Sequence, residues 1–145
     1  ENWDKIKMQT KSQTTYAQTL DSVSHALPAL IRAEKVQNKA KKCGFDWDCV
    51  DGALEKLQEE ISELREAIKN NDADSSAEEL GDVLFSAVNV SRFIDVDGEK
   101  ALGDATDKFI ARFSKVEELA NSKGIDMKRA TLEELDALWD EVKKA

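Results

Sequence analysis

Four acidic residues are spaced so that two helices could bring them face to face. Glu60 and Glu63 are three apart, and so are Glu79 and Asp82. A step of three keeps each pair on one side of an α-helix. Between the pairs, Asn70-Asn71-Asp72 reads as a break, and a connection that short makes its two helices antiparallel neighbours. Carboxylates converging in this way repel one another unless a cation sits between them. An all-oxygen donor set selects magnesium, manganese or calcium over zinc. Magnesium typically keeps several waters and takes substrate phosphates as well, so the arrangement suits phosphoryl chemistry.

The neighbours of these residues sharpen the reading. From Leu80 to Ile94 the only charges are Asp82 and Arg92, while Val83, Leu84, Phe85, Ala87, Val88, Val90, Phe93 and Ile94 cover most of the helix circumference. A helix apolar nearly all round is expected to be buried. At about 100° per residue, Glu79, Asp82, Ser86 and Asn89 then share one polar stripe. A buried carboxylate without a partner loses its charge or costs several kcal/mol, so this stripe must meet a base, a metal or a water-filled cleft. On the preceding helix, Glu60 lies on a heptad line with Ala53 and Ala67, whose small side chains would admit a close neighbour. Three plainer explanations stand beside this one. Glu59, Glu60, Glu63 and Glu66 could form a solvated face. Glu79 could close a capping box with Ser76. Asp82 could pair with a lysine or arginine.

The elements that would position the four acids are helices. One proline and six glycines in 145 residues leave too few turn signals for a β architecture, so the fold class is all-α. Residues 1–22 are polar and aperiodic, with a possible short helix within 12–20. The first firm helix is expected from Leu27 to Lys42, with Pro28 in its first turn and Gly44 ending it. A second runs from Cys49 to Asn70, where Val50, Leu54, Leu57, Ile61, Leu64 and Ile68 make an apolar stripe. A third runs from Ser76 to Ile94 and a fourth from Glu99 to Lys123, ending at Gly124. A fifth starts at Thr131, where Thr131 and Glu134 match a capping box.

Composition excludes several functions. Thirty acids against 21 bases give a net charge of −9, which argues against nucleic acid and anionic membrane as partners. No apolar run of about 18 residues offers a membrane span, and no signal peptide is visible. Cys43 and Cys49 fit no zinc spacing and are expected to be reduced thiols of a cytoplasmic protein. His25, the single histidine, leaves no zincin motif, hydrolase triad or di-iron site. A glycine-rich phosphate loop is absent, and the acidic runs lack EF-hand spacing. Glu rather than Met at position 1 is what a piece of a longer chain would show.

Glu-Glu-Ile-Ser-Glu at 59–63, followed by Glu-Glu-Leu-Gly-Asp-Val-Leu-Phe-Ser-Ala-Val-Asn-Val-Ser-Arg-Phe at 78–93, resembles the MazG family. So do Leu27-Pro28-Ala29-Leu30 leading into Arg32-Ala33-Glu34-Lys35-Val36-Gln37, the turn Gly44-Phe45-Asp46-Trp47, and Lys108-Phe109-Ile110-Ala111-Arg112-Phe113. The resemblance covers residues 25–145 as a catalytic domain and leaves residues 1–24 as a polar arm or interdomain linker. It implies a four-helix-type bundle of the all-α nucleotide pyrophosphatase kind, with an extra C-terminal helix, completed by homodimerisation. Many relatives carry two such domains in tandem, and this chain looks like the second.

The implied activity is hydrolysis of nucleoside triphosphates, canonical or aberrant, to monophosphate and pyrophosphate, with Mg2+ as cofactor and Mn2+ as a substitute. The family's metal signature falls on Glu60, Glu63, Glu79 and Asp82, and Glu60 or Glu63 would take the proton of the attacking water. Lys108 and Arg112, one turn apart, would neutralise the triphosphate, with Lys35, Asn89 and Arg92 as further substrate contacts. Trp139 and Lys143 resemble a late family motif that reaches the nucleotide. The rival reading is a non-catalytic helical module that dimerises or binds a partner through apolar faces.

Overall fold

A computed structural model describes residues 14–145. Among these residues there are six helices and no strand: α1 Tyr16–Asp21, α2 Ala29–Lys42, α3 Val50–Lys69, α4 Ala73–Phe93, α5 Gly98–Ser122 and α6 Leu132–Lys144. Four of them stop in the same way. After α2, α3, α4 and α5 the chain turns through Gly44, Asn71, Asp95 and Gly124, each at positive φ. The amide of the following residue then reaches back to a carbonyl of the last turn, as in Phe45 N to Ala40 O at 3.0 Å and Asp72 N to Ala67 O at 3.1 Å. This Schellman closure satisfies carbonyls that would otherwise be orphaned, and it favours Gly, Asn or Asp at the left-handed position.

Two of the expected starts shift. Pro28 is the N-cap of α2 and not a residue of its first turn. More consequentially, α4 begins at Ala73, because the Asp72 side chain accepts from Ser75 N at 3.1 Å. The Ser76 hydroxyl donates to the Asp72 carbonyl at 2.7 Å, so Ser76 is inside the helix and Glu79 caps nothing. Thr131 does cap α6, accepting from Glu134 N at 3.1 Å. Within the stretch expected to be a polar arm, Thr15 and Gln18 form a reciprocal capping box on α1, and Val23 beyond it is buried. Residues 1–13 of that arm lie outside the described residues.

The chain divides into two compact units, the first ending at Glu99 and the second running from Lys100 to Ala145. In the first unit α3 and α4 form an antiparallel hairpin and pack along most of their lengths, while α2 lies on α4 and α1 on α2. The buried residues of α3 are Ala53, Glu60 and Ala67, the heptad line read from the sequence. The apolar stripe of α3 is not the buried face: Leu54, Ile61 and Ile68 are more than two fifths exposed. Nor is α4 buried all round, since Leu80, Leu84, Phe85 and Ile94 are open to a similar degree. The helices meet through small residues, which brings their backbones close and turns the larger apolar side chains outward. The second unit has an ordinary core of Val116, Ala120 and Leu138, flanked by Leu119, Ile125, Met127, Leu135, Trp139 and Val142. No helix among the described residues is long and apolar enough to cross a membrane.

Candidate metal centre

The α3–α4 hairpin brings carboxylate oxygens of Glu60, Glu79 and Asp82 within 4.8 Å of one another. Their exposures are graded: Glu60 is buried, Glu79 half-buried and Asp82 exposed. The cluster is therefore rooted between the helices and open at one side. Glu63, one turn on from Glu60, is exposed at its edge and interacts with both Glu60 and Glu79.

Two features fit this cluster to a divalent cation. Oε2 of Glu60 and Oε2 of Glu79 are buried without a hydrogen-bond partner. A buried acceptor normally has one, because leaving it bare costs its hydration. In addition, every donor is a carboxylate oxygen, the set that hard cations prefer.

The electrostatics of the cluster are those of crowded carboxylates. Burial pushes the Glu79 carboxyl up to about 7, helped by the neighbouring Glu60 and by the charge of Glu63. Glu60 goes the other way. A hydrogen bond from Lys56 holds it below the ordinary carboxylate range despite its burial. Lys56 Nζ lies 2.8 Å from Glu60 Oε1 and 3.5 Å from Glu59, and these carboxylates raise its own proton affinity. Lys56 is a site residue that the sequence reading missed. Its signal is the line Gly52, Lys56, Glu60, each one turn apart on the face of α3 that carries the cluster.

Beyond Lys56 lies an apolar cavity of about 600 Å³, walled by Phe45, Trp47, Gln37, Phe85, Ser86 and Asn89 among others. Trp47 folds over Gly52 so closely that a Cβ there would sit 3.0 Å from the indole ring. The turn bearing Phe45 and Trp47 is tied down by a second group of charges. Arg92 bonds both oxygens of Asp46, at 2.8 and 3.2 Å. It also bonds Gln37 at 3.2 Å and Asn89 at 2.6 Å, and the Gln37 amide donates to the Phe85 carbonyl. Arg92 holds Asp46 below the usual carboxylate range. Unlike the acidic cluster, this network has its charges matched.

The other residues singled out in the sequence are distributed as follows. Lys35 is exposed on α2. In the second unit, the Arg112 guanidinium lies 6.0 Å from the centre of the Trp139 ring. Trp139 packs on Phe109 at 5.4 Å and against the core. Lys108 and Lys143, one turn from Arg112 and Trp139, are exposed. His25 is a surface residue 3.6 Å from Asp21, and Cys43 and Cys49 are free thiols.

Comparison with known proteins places the hairpin within a known domain. Residues 51–117 match the MazG nucleotide pyrophosphohydrolase domain. The chain is 41% identical over 141 residues to the nucleoside triphosphate pyrophosphohydrolase/pyrophosphatase MazG of Thermotoga maritima, covering 97% of this chain and 54% of that protein. It is 35% identical over 144 residues to the nucleoside triphosphate pyrophosphohydrolase of Escherichia coli, covering 98% of this chain and 55% of the relative. An uncharacterized Bacillus subtilis protein, YabN, is 42% identical over 144 residues, 99% of this chain and 29% of its own length. The chain thus spans about half the length of the first two relatives. With the domain match falling on the helices that carry the paired acids, and with these identities along nearly all of its length, the chain belongs to the MazG family.

Proposed function

We propose that this chain hydrolyses nucleoside triphosphates to nucleoside monophosphate and pyrophosphate, with Mg2+ as its cofactor and Mn2+ as a substitute. The observation that carries this reading is the buried, half-partnered Glu60 carboxylate directed at Glu79 and Asp82. The names of the Thermotoga maritima and Escherichia coli relatives support the reaction class.

Glu60, Glu79 and Asp82, with Glu63 at their edge, would hold the cation. When bound, it supplies charge neutralisation for the phosphates and acidifies water. Glu60 is engaged by Lys56, whereas Glu63 is exposed and outside the tight trio, so Glu63 is the better placed proton acceptor. In the reaction a water oxygen attacks the α-phosphorus and its proton passes to the Glu63 carboxylate. The bond from the α-phosphorus to the bridging oxygen breaks, and pyrophosphate leaves with the electron pair. Within the first unit, Lys56 supplies positive charge for the triphosphate and Lys35 a further contact. Asn89 and Arg92 act by fixing the turn that walls the cavity. The open apolar rows of α3 and α4 support a homodimer, in which a second copy would cover them.

The test is pyrophosphate release from a panel of triphosphates with and without Mg2+. Glu60→Gln should lose both cation binding and turnover, the latter by roughly 10³-fold, since several kcal/mol of charge stabilisation disappear. Glu63→Gln should weaken cation binding less than Glu60→Gln does and still lose turnover. Stepwise release of orthophosphate from the γ position would contradict the reading.

A further inference from the structure

We propose that Lys56 is a built-in counter-cation of the acidic cluster, one that a divalent ion must displace from Glu60 and that is then free to pair with substrate phosphate. The proposal rests on the reading of the cluster as a metal site.

The two partners of this ion pair are unequal. The Glu60 side chain is 6% exposed and the Lys56 side chain 38%. Glu60 is fixed between two helices at the point where they approach through Ala53 and Ala67. Lys56 reaches it on a flexible stem from the solvent side, and a long amphipathic side chain can withdraw its charged end without disturbing the helices. The ammonium satisfies only Oε1, while Oε2 of the same carboxylate stays buried and bare.

A single positive charge is also too little for the cluster. Among the described residues the trio's ion pairing amounts to Lys56 with Glu60, while Glu79 and Asp82 face that pair without a cation of their own. A divalent ion and the ammonium would therefore compete for one carboxylate, as like charges within a few ångströms of each other.

The displaced ammonium has somewhere to go, because Lys56 also lines the cavity beside Trp47, Ser86 and Asn89. It would arrive there as the cation begins to hold phosphate. The lysine thus shields a buried carboxylate when no ion is present and passes its charge to the substrate when one is. Linkage then requires that cation and triphosphate each favour binding of the other.

The experiment measures Mn2+ affinity of the full chain, without nucleotide, from the electron paramagnetic resonance signal of free Mn2+. Wild type, Lys56→Gln and Lys56→Arg are compared. Lys56→Gln should bind Mn2+ roughly three- to tenfold more tightly, because a competing ion pair of ordinary strength is gone. It should also melt at a lower temperature without the ion and gain more from its addition. Lys56→Arg should bind more weakly than wild type, since the planar guanidinium grips a carboxylate with paired hydrogen bonds. Equal or weaker binding by Lys56→Gln overturns the proposal and leaves the metal site standing. Should that variant not fold, equal or tighter binding by Lys56→Arg overturns it alone. A wild-type chain that takes up no Mn2+ removes both the site and the proposal.

Discussion

The α3–α4 hairpin and the α5–α6 unit are written in the same amphipathic code, yet their interiors are opposites. The second unit buries Val116, Ala120 and Leu138, and among the described residues it buries no charged side chain. The hairpin buries Ala53, Ala67, Ser86 and Val88 around a carboxylate and leaves its larger apolar side chains at the surface. Helices that meet through small residues have room between them for something other than a core, and here they enclose acid. The hairpin unit is itself divided. Arg92 and Asp46 are nearly as buried as Glu60, with side chains 6% and 12% exposed, but Arg92 bonds Asp46, Gln37 and Asn89, and both Asp46 oxygens accept from it. A buried charge with its partners in place is architecture. One with a bare oxygen directed at other acids calls for a ligand.

Breaking the matched pair should produce the largest loss of stability. Arg92→Met leaves Asp46 buried and alone, and removing one partner of a buried ion pair costs about 3–5 kcal/mol. Urea unfolding with and without Mg2+ measures it. The ion should not restore the loss, because Asp46 is not part of the acidic cluster; a variant rescued by Mg2+ would erase the distinction between the two sets of charges. Next in size is Leu138→Ala in the second unit, where an emptied core site costs about 2–5 kcal/mol. Its Mn2+ affinity should match wild type. A large change in that affinity would mean that the core of the second unit is not independent of the cluster.

Much of this was legible in the residues. Small side chains at 53 and 67 around Glu60, and an Asn-Asn-Asp break at 70–72, suffice to propose two antiparallel helices with facing acids. What was missed has physical causes. α4 starts one turn earlier than expected because Asp72 and Ser76 are both good caps four residues apart, and only the fold shows that the earlier one wins. Lys56 looks like the ordinary partner in a surface i,i+4 pair, and only the burial of Glu60 gives the contact weight. Arg92 and Asp46 are 46 residues apart, beyond any periodic pattern. The nearly all-apolar circumference of α4 suggested burial, but α2 and α3 cover only part of it. Residue type indicates what a face wants to contact, not whether this chain supplies the contact.

The smallest effect separates the two kinds of buried charge by pH. In the unfolded chain Glu79 ionises near 4.5, and in the folded chain it does so near 7. The folded state therefore holds a proton that the unfolded state has already released. The stability linked to Glu79 is complete below about 4.5 and is lost as pH rises through about 7. Glu60 and Asp46 are shifted downward, so their contributions have the opposite sign: present above the ordinary carboxylate range and lost as pH falls below it. Between these windows the slope belongs to Glu79. The melting temperature of the ion-free chain should fall from about pH 5 to about pH 8. Glu79→Gln, which cannot ionise, should flatten that fall, and so should saturating Mg2+, which replaces the proton as the neutralising charge. A slope unchanged by both would show that the protonation responsible lies outside the cluster.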